Sequence, residues 1–127
     1  MIPTSPSEYA KLIEAVDREA FGVHMDVINM INSADRYFHP EEFIDACADI
    51  LGGRIRSCHI KDVHLDSRYT IRLEECGPGD GEFPLRYYAT RMNEIDPDMP
   101  VILEHLHTDE EYIRYMDYLK KELDGLY

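Results

Sequence analysis

The sequence lacks several features that would place a chain in a specialised class. It has no tryptophan, and its three cysteines show no Cys-x-x-Cys spacing. A disulfide framework or a zinc ribbon is therefore not expected, and Cys47 and Cys58 should be small buried residues. No apolar run approaches the roughly 20 residues of a membrane-spanning helix, and residues 1–6 have neither the basic region nor the apolar segment of a signal peptide. We expect a cytoplasmic protein with no membrane partner.

Positive charge is also scarce. The chain has 26 acidic and 13 basic residues, and its net charge is −13. The basic residues are scattered singly, so they form no obvious patch. Because such a chain repels phosphate backbones, we expect no nucleic-acid partner. A solvated acidic surface accounts for most of this charge, and some of the carboxylates could be ligands of a divalent cation.

The length and the hydrophobic pattern predict one domain of the α/β class. The 127 residues show no linker and no internal repeat, so residues 1–127 are taken as a single domain. Helical patterns cover about residues 6–19, 40–51, 84–95 and 109–123, and strand patterns cover about residues 21–26, 54–62 and 100–106. Strict alternation of helices and strands is typical of a parallel sheet with right-handed crossovers. Residues 27–39 are predicted to be a loop, and residues 69–76 a short extra strand.

Three potential metal ligands lie at or near the ends of the three main predicted strands. They are Asp26, His59 and Glu104. The ends of neighbouring parallel strands lie roughly 5 Å apart, so these side chains should converge. Two carboxylates and one imidazole suit Mn²⁺, Mg²⁺ or Co²⁺. The pattern therefore predicts a divalent-metal site.

Four further side chains are candidates for substrate binding: Asn29, Lys61, His64 and Glu75. Lys61 follows His59 by two residues, so it shares the same face and could contact a substrate oxygen or phosphate. Asn29 follows Asp26 by three residues, and His64 lies close to a strand end. Alternation along the extra strand should turn one of its two adjacent glutamates toward the pocket.

Other polar residues near these strand ends are expected to be structural. Asp62 should face away from the site and bind backbone N–H groups of a helix or loop. We expect His24 to be a hydrogen-bonded core residue and His105 to point away from the site. The Gly-Pro-Gly-Asp-Gly segment at 77–81 lacks the Lys-Ser/Thr of a phosphate-binding loop, so it is interpreted as a rigid turn.

Four segments together resemble the xylose isomerase-like TIM barrel family, and more narrowly its sugar phosphate isomerase/epimerase branch. They are GVHMDVINMI at 22–31, SCHIKDV at 57–63, ECGPGDG at 75–81 and PVILEHL at 100–106. The resemblance covers nearly all of this chain but only the last three-eighths of the family's barrel. It implies the C-terminal portion of a (β/α)8 TIM barrel, with about three βα units that supply strands six to eight.

The resemblance also implies a function. The family's metal is held by a Glu, an Asp, a His and a Glu from strands five to eight, and Asp26, His59 and Glu104 match the last three. It implies isomerisation or epimerisation of a sugar or polyol by proton abstraction next to a carbonyl, with Glu104 as a catalytic group and Zn²⁺ as a further possible ion. The fifth-strand Glu has no counterpart, and Asn29 stands where epimerases carry a His. We expect the isolated chain to be inactive unless the missing strands complete it.

Two alternatives remain open. The chain could be a non-catalytic or decayed barrel remnant, or an assembly subunit, that retains weak metal binding. The second alternative is a nuclease related to the apurinic endonucleases, and the net charge of −13 counts against it. Because a three-strand piece leaves two open sheet edges, we expect it to be marginally stable or to associate, either with copies of itself or with the missing barrel half.

Overall fold

The computed structural model describes residues 3–66, 68–104 and 106–126. The helices are α1 (Pro6–Val16), α2 (Ala34–Phe38), α3 (Pro40–Leu51), α4 (Leu85–Ile95) and α5 (Asp109–Glu122). The strands are β1 (Val23–Met25), β2 (Ile55–Ile60), β3 (Asp62–Leu65), β4 (Leu73–Cys76) and β5 (Val101–Leu103). Two short 3₁₀ turns lie at Ile28–Met30 and Gly52–Arg54.

The sheet that positions the candidate site has three parallel strands in the order β1-β2-β5. Helices α2 and α3 connect β1 to β2, and α4 lies between β2 and β5 in the chain. The predicted α/β class with parallel strands and alternating helices is therefore confirmed. Strands β3 and β4 form a separate antiparallel pair, in which Asp62 lies opposite Cys76 and Val63 opposite Glu75.

The first helix begins as predicted but ends earlier. The Ser5 hydroxyl accepts a hydrogen bond from the Glu8 N–H, and Pro6 occupies the first turn. The prediction that the helix reaches residue 19 is wrong. Asp17 adopts a left-handed conformation with φ of 46°, and its N–H bonds the Ile13 carbonyl to close the last turn.

The prediction of a loop over residues 27–39 is wrong in part, because this segment holds a 3₁₀ turn and helix α2. Ser33 begins α2, and its hydroxyl accepts a hydrogen bond from the Arg36 N–H. The Arg36 guanidinium also donates to the Asn32 side chain at 3.0 Å. A helix of five residues has too few turns to show a hydrophobic period, so the sequence pattern gave no sign of it.

The strand predicted over residues 54–62 is divided in the structure. β2 ends at Ile60 and β3 begins at Asp62, so the chain leaves the parallel sheet at Lys61. The extra strand predicted over residues 69–76 is also shorter, since β4 begins at Leu73. The resulting hairpin stands beside the C-terminal ends of the parallel strands, where it brings further side chains to the site.

The apolar core lies between one face of the parallel sheet and the helices, and we call this face the outer face. Its side chains are Val23, Met25, Ile55, Cys58 and Ile60, and all are almost completely buried. The core partners from α3 and α4 are Ile44, Cys47, Leu51, Tyr88, Ala89 and Met92. The predicted burial of Cys47 and Cys58 is therefore confirmed.

Candidate functional site

The three predicted metal ligands converge at the C-terminal ends of the parallel strands. Asp26 follows β1, His59 lies near the end of β2, and Glu104 follows β5. One ligand atom from each lies within 4.8 Å of the others. His59 Nδ1 is 3.3 Å from Asp26 Oδ2 and 2.8 Å from Glu104 Oε2. Strand register explains this, because His59 pairs with Ile102 and side chains two residues apart share a face.

Lys61 lies at the centre of the same group. Its side chain is only 1% exposed. The Nζ atom is 3.1 Å from Asp26 Oδ2, 3.1 Å from Glu75 Oε1 and 3.4 Å from Glu104 Oε2. It also donates a hydrogen bond of 3.0 Å to Asn29 Oδ1. A buried ammonium thus connects ligands from two strands with the β3–β4 hairpin.

Asn29 fixes the carboxylate of Asp26. The Asn29 backbone N–H donates to Asp26 Oδ1 at 3.2 Å, and its side-chain amide donates to Oδ2 at 2.7 Å. The 3₁₀ turn at Ile28–Met30 holds Asn29 in this place directly after the strand. Asn29 therefore contacts both Asp26 and Lys61, and it orients the first of the three candidate metal ligands.

The electrostatics of Asp26 and Lys61 are coupled. Burial raises the pKa of the Asp26 carboxyl, but the Lys61 ammonium and hydrogen bonds from Asn29 and His59 outweigh it and hold the pKa below its ordinary value. Burial lowers the pKa of Lys61, but the charges of Asp26 and Glu75 outweigh it and raise that pKa. Both groups are therefore ionised at neutral pH.

His24 lies one step deeper on the same face of the sheet, which we call the inner face. His24 Nδ1 and Ser57 Oγ form a hydrogen bond of 2.5 Å, and the His24 ring meets the His59 ring edge-on at 4.0 Å. Its predicted hydrogen bond is confirmed, but its predicted burial is wrong, since His24 is exposed. The reason is that no described element of the chain covers the inner face at this point.

Asp62 anchors the turn at residues 77–81, as its predicted structural role requires. Asp62 Oδ1 accepts hydrogen bonds from the N–H groups of Val63 and Phe83, at 2.8 and 2.9 Å. Oδ2 accepts from Gly79 and Gly81, at 2.9 and 3.2 Å. A Cβ atom at Gly81 would overlap the Asp62 carboxylate, so the turn needs glycine there. The prediction that Asp62 binds loop N–H groups is confirmed.

The hairpin sends its two glutamates in opposite directions. Glu75 pairs with Val63 across the hairpin and reaches Lys61. Glu74 pairs with His64, and the His64 ring lies 3.8 Å from the Glu74 carboxylate on the other face. The structure thus brings Asn29, Lys61 and Glu75 to the three ligands and leaves His64 outside the group. His105 lies outside the described residues.

The donor set fits a divalent metal ion. Carboxylate oxygens of Asp26 and Glu104 and a ring nitrogen of His59 converge, and each of these side chains is partly accessible. Hard oxygen donors with one nitrogen suit Mn²⁺, Mg²⁺ and Co²⁺, and the same set accommodates Zn²⁺. Three protein ligands leave positions for water or a substrate, which is typical of catalytic rather than structural sites.

Comparisons with known proteins place the fold and the family of the chain. The family model for the xylose isomerase-like TIM barrel matches residues 2–122. A solved structure, a xylose isomerase domain protein from Planctomyces limnophilus, is similar with a TM-score of 0.72 and 22% sequence identity. The match covers 96% of this chain and 42% of that chain, so this chain spans less than half of its length. No curated protein sequence matches the chain.

The likeness to the solved structure concerns the fold, and it agrees with a partial barrel.

None of the described helices is long and apolar enough to cross a bilayer. The parallel sheet, the ligands at its C-terminal edge and the match over residues 2–122 lead to one conclusion. The chain belongs to the xylose isomerase-like TIM barrel family.

Proposed function

We propose that this chain forms the metal-binding C-terminal part of a divalent-metal-dependent isomerase or epimerase that acts on a sugar or sugar phosphate. One observation carries the proposal. Asp26, His59 and Glu104 meet at the C-terminal ends of three adjacent parallel strands. Active sites of (β/α) barrels lie at this end of the strands, whereas the opposite end serves stability.

Each residue has a role in this proposal. Asp26, His59 and Glu104 would hold the ion, which would polarise the oxygens around the substrate carbonyl. Glu104 lies beside His59 and Lys61, and its carboxylate would accept the proton from the carbon next to the carbonyl. Return of the proton to the former carbonyl carbon, with transfer of the hydroxyl proton from one oxygen to the other, would give the isomer. Return to the original carbon from the opposite face would give an epimer and would require a second proton-donating group. Asn29 keeps the Asp26 carboxylate oriented throughout.

The edges of the sheet support a second part of the proposal, which concerns partners. Among the described residues, β1 and β5 are the edge strands of the parallel sheet. An apolar cavity of about 250 Å³ lies beside β5, lined mainly by Val101, Leu103, Met116 and Leu119. We propose that the remaining barrel strands pair with these edges, supplied by another part of a longer protein or by another chain.

Sedimentation of the isolated chain tests the partner proposal. We expect self-association or a low melting temperature, because open strand edges and the apolar cavity favour pairing. A well-folded monomer with a cooperative thermal transition would contradict it.

A hydrogen-exchange experiment tests the activity. The protein, alone and in any assembly that it forms, is incubated with Mn²⁺ and a panel of ketoses and ketose phosphates in D₂O. After a chelator has removed the Mn²⁺, which broadens proton signals by itself, proton NMR should show loss of the signal of the hydrogen on the carbon next to the carbonyl. This loss should require Mn²⁺ during the incubation, and Glu104→Gln should abolish it. The control is Asp49→Asn, which removes an exposed carboxylate on α3 and should leave the rate of exchange unchanged. Metal binding without exchange on any substrate would favour the non-catalytic remnant instead.

A further inference from the structure

Lys61 is a fully buried lysine within a group of carboxylates. Its Nζ atom contacts oxygens of Asp26, Glu75 and Glu104, each from a different part of the fold. Burial of a charged group is costly unless opposite charges and hydrogen bonds compensate it, and here three carboxylates do so. The cluster therefore contains its own cation.

The contacts of Lys61 leave it little capacity to bind a substrate. An ammonium group has three N–H donors, and Lys61 faces four oxygens, three from the carboxylates and one from Asn29. Its side chain is almost inaccessible to solvent. Substrate contact, which the sequence suggested for this residue, would need one of these bonds to break.

Two of these oxygens belong to the carboxylates that would hold a metal ion. Asp26 Oδ2 and Glu104 Oε2 lie within 3.4 Å of Lys61 Nζ and within 3.3 Å of His59 Nδ1. A divalent ion on these oxygens would share them with the ammonium, and like charges repel. Lys61 and a divalent ion together would carry the charge that balances Asp26, Glu75 and Glu104.

We propose that Lys61 is an internal counter-cation of the site: it holds Asp26 and Glu104 in place when no metal is bound, and it weakens their affinity for a divalent ion. Lys61 is thus a positioning residue. The effect on metal affinity rests on the proposed metal site. The effect on the metal-free protein does not.

Glu75 has the opposite effect in this proposal. It approaches the ammonium from the β3–β4 hairpin at 3.1 Å, whereas Asp26 and Glu104 follow β1 and β5. Its charge offsets that of Lys61, which would otherwise act fully against the incoming ion. Loss of the Glu75 charge should therefore weaken metal binding, although Glu75 is not among the three ligands.

Mn²⁺ titrations followed by electron paramagnetic resonance test the first consequence. Lys61→Met should bind Mn²⁺ about tenfold more tightly than the wild type, equal to about 1.4 kcal/mol. Glu75→Gln should bind several-fold more weakly, and the double variant should return toward the wild-type affinity. Glu74→Gln removes the same charge from the other face of the hairpin and should have no effect.

The opposite signs separate this proposal from a purely structural role for Lys61. If Lys61 only supported the packing of the site, both substitutions would weaken binding. Weaker or unchanged binding in Lys61→Met would overturn the proposal. If that variant fails to fold, unchanged or tighter binding in Glu75→Gln would overturn it equally, because Glu75 is partly exposed and its change preserves size.

Thermal melting in the presence of a chelator tests the second consequence. Lys61→Met should melt several degrees lower, because Asp26 and Glu104 then repel each other without a cation between them. Adding Glu104→Gln to Lys61→Met should recover part of the loss, and no recovery would overturn the holding role. Recovery in a protein that binds no Mn²⁺ would refute the proposed function and leave the counter-cation in place. Weaker Mn²⁺ binding in the variants of Asp26, His59 and Glu104, without tighter binding in Lys61→Met, would support the proposed metal site and refute the counter-cation.

Discussion

The two faces of the parallel sheet differ in composition and in what covers them. The outer face carries Val23, Met25, Cys58 and Ile60, which pack under the helices and exclude solvent. The inner face carries the three candidate metal ligands with Lys61, and below them the exposed His24 ring. Burial of apolar area on the outer face therefore stabilises the fold, whereas most side chains of the inner face are polar and contribute little apolar burial.

Strand β2 shows how closely the two faces depend on each other. Cys58 and Ile60 point into the core, and His59 points into the site between them, followed by Lys61. Because side chains alternate along a strand, a shift of one residue would bury His59 and expose Ile60. The packing of the outer face thus fixes the register that brings the three candidate metal ligands together.

The largest effect on stability is expected outside the parallel sheet, at Asp62, which ties β3 to the turn at residues 77–81. Asp62→Ala removes the acceptor of four backbone N–H groups and should cost about 4 kcal/mol, since buried unsatisfied donors each cost about 1–3 kcal/mol. Urea unfolding measures this free energy. Asp62→Asn, which keeps one acceptor oxygen, should lose less. Unchanged stability in Asp62→Ala would show that the turn at 77–81 does not depend on this carboxylate.

A matched pair of isoleucines compares the two faces directly. Ile60 on the outer face is 1% exposed, and Ile102 on the inner side is 46% exposed. Ile60→Ala should destabilise the protein by about 3 kcal/mol, as for other buried large-to-small changes, and Ile102→Ala by less than about 1 kcal/mol. Denaturant unfolding of both variants gives the difference. Equal losses would mean that the inner face is also packed against protein, as in a self-associated assembly.

The smallest effect is expected at the start of α5, outside both faces. Thr108 and Glu111 form a capping box, and Glu111 accepts from the N–H groups of His107 and Thr108. The bond from His107 is the main reason that the pKa of Glu111 is lowered. A lowered pKa stabilises the fold above the unfolded-state pKa, and this stabilisation is lost as the pH falls through the folded-state pKa.

Glu111→Gln should therefore lower the melting temperature slightly at pH 7 and reduce its fall between pH 5 and about pH 3. Melting curves over this range measure both changes, and Mn²⁺ binding should not change. A variant whose melting temperature falls as steeply in acid as that of the wild type would contradict the role of Glu111.

The sequence was sufficient to predict the convergence of the three ligands, because the ends of parallel strands must meet at one edge of a sheet. Asp26, His59 and Glu104 each follow a recognisable strand pattern. The burial of Lys61 was not predicted, since Glu75 reaches it from a hairpin whose register no local pattern specifies. The available signal was that several carboxylates brought together need a cation, and Lys61 lies next to them in the predicted site.

Other features depend on tertiary context. Residues 54–62 show one continuous strand pattern, so the sequence alone did not locate the break at Lys61. The exposure of His24 follows from what covers the inner face, which is a property of neighbouring segments and not of residues near His24. The Asp62 contacts were predictable in kind, but their four donors come from residues up to 21 positions away.

The most direct test of the central claim is a Mn²⁺ titration of the wild type and three variants. The wild type should bind one Mn²⁺ per chain, and Asp26→Asn, His59→Ala and Glu104→Gln should each weaken binding at least tenfold with an unchanged circular dichroism spectrum. The control Asp49→Asn, which removes an exposed carboxylate on α3, should bind Mn²⁺ as tightly as the wild type does. Equal Mn²⁺ affinity in the wild type and all three ligand variants would contradict a metal site at these strand ends.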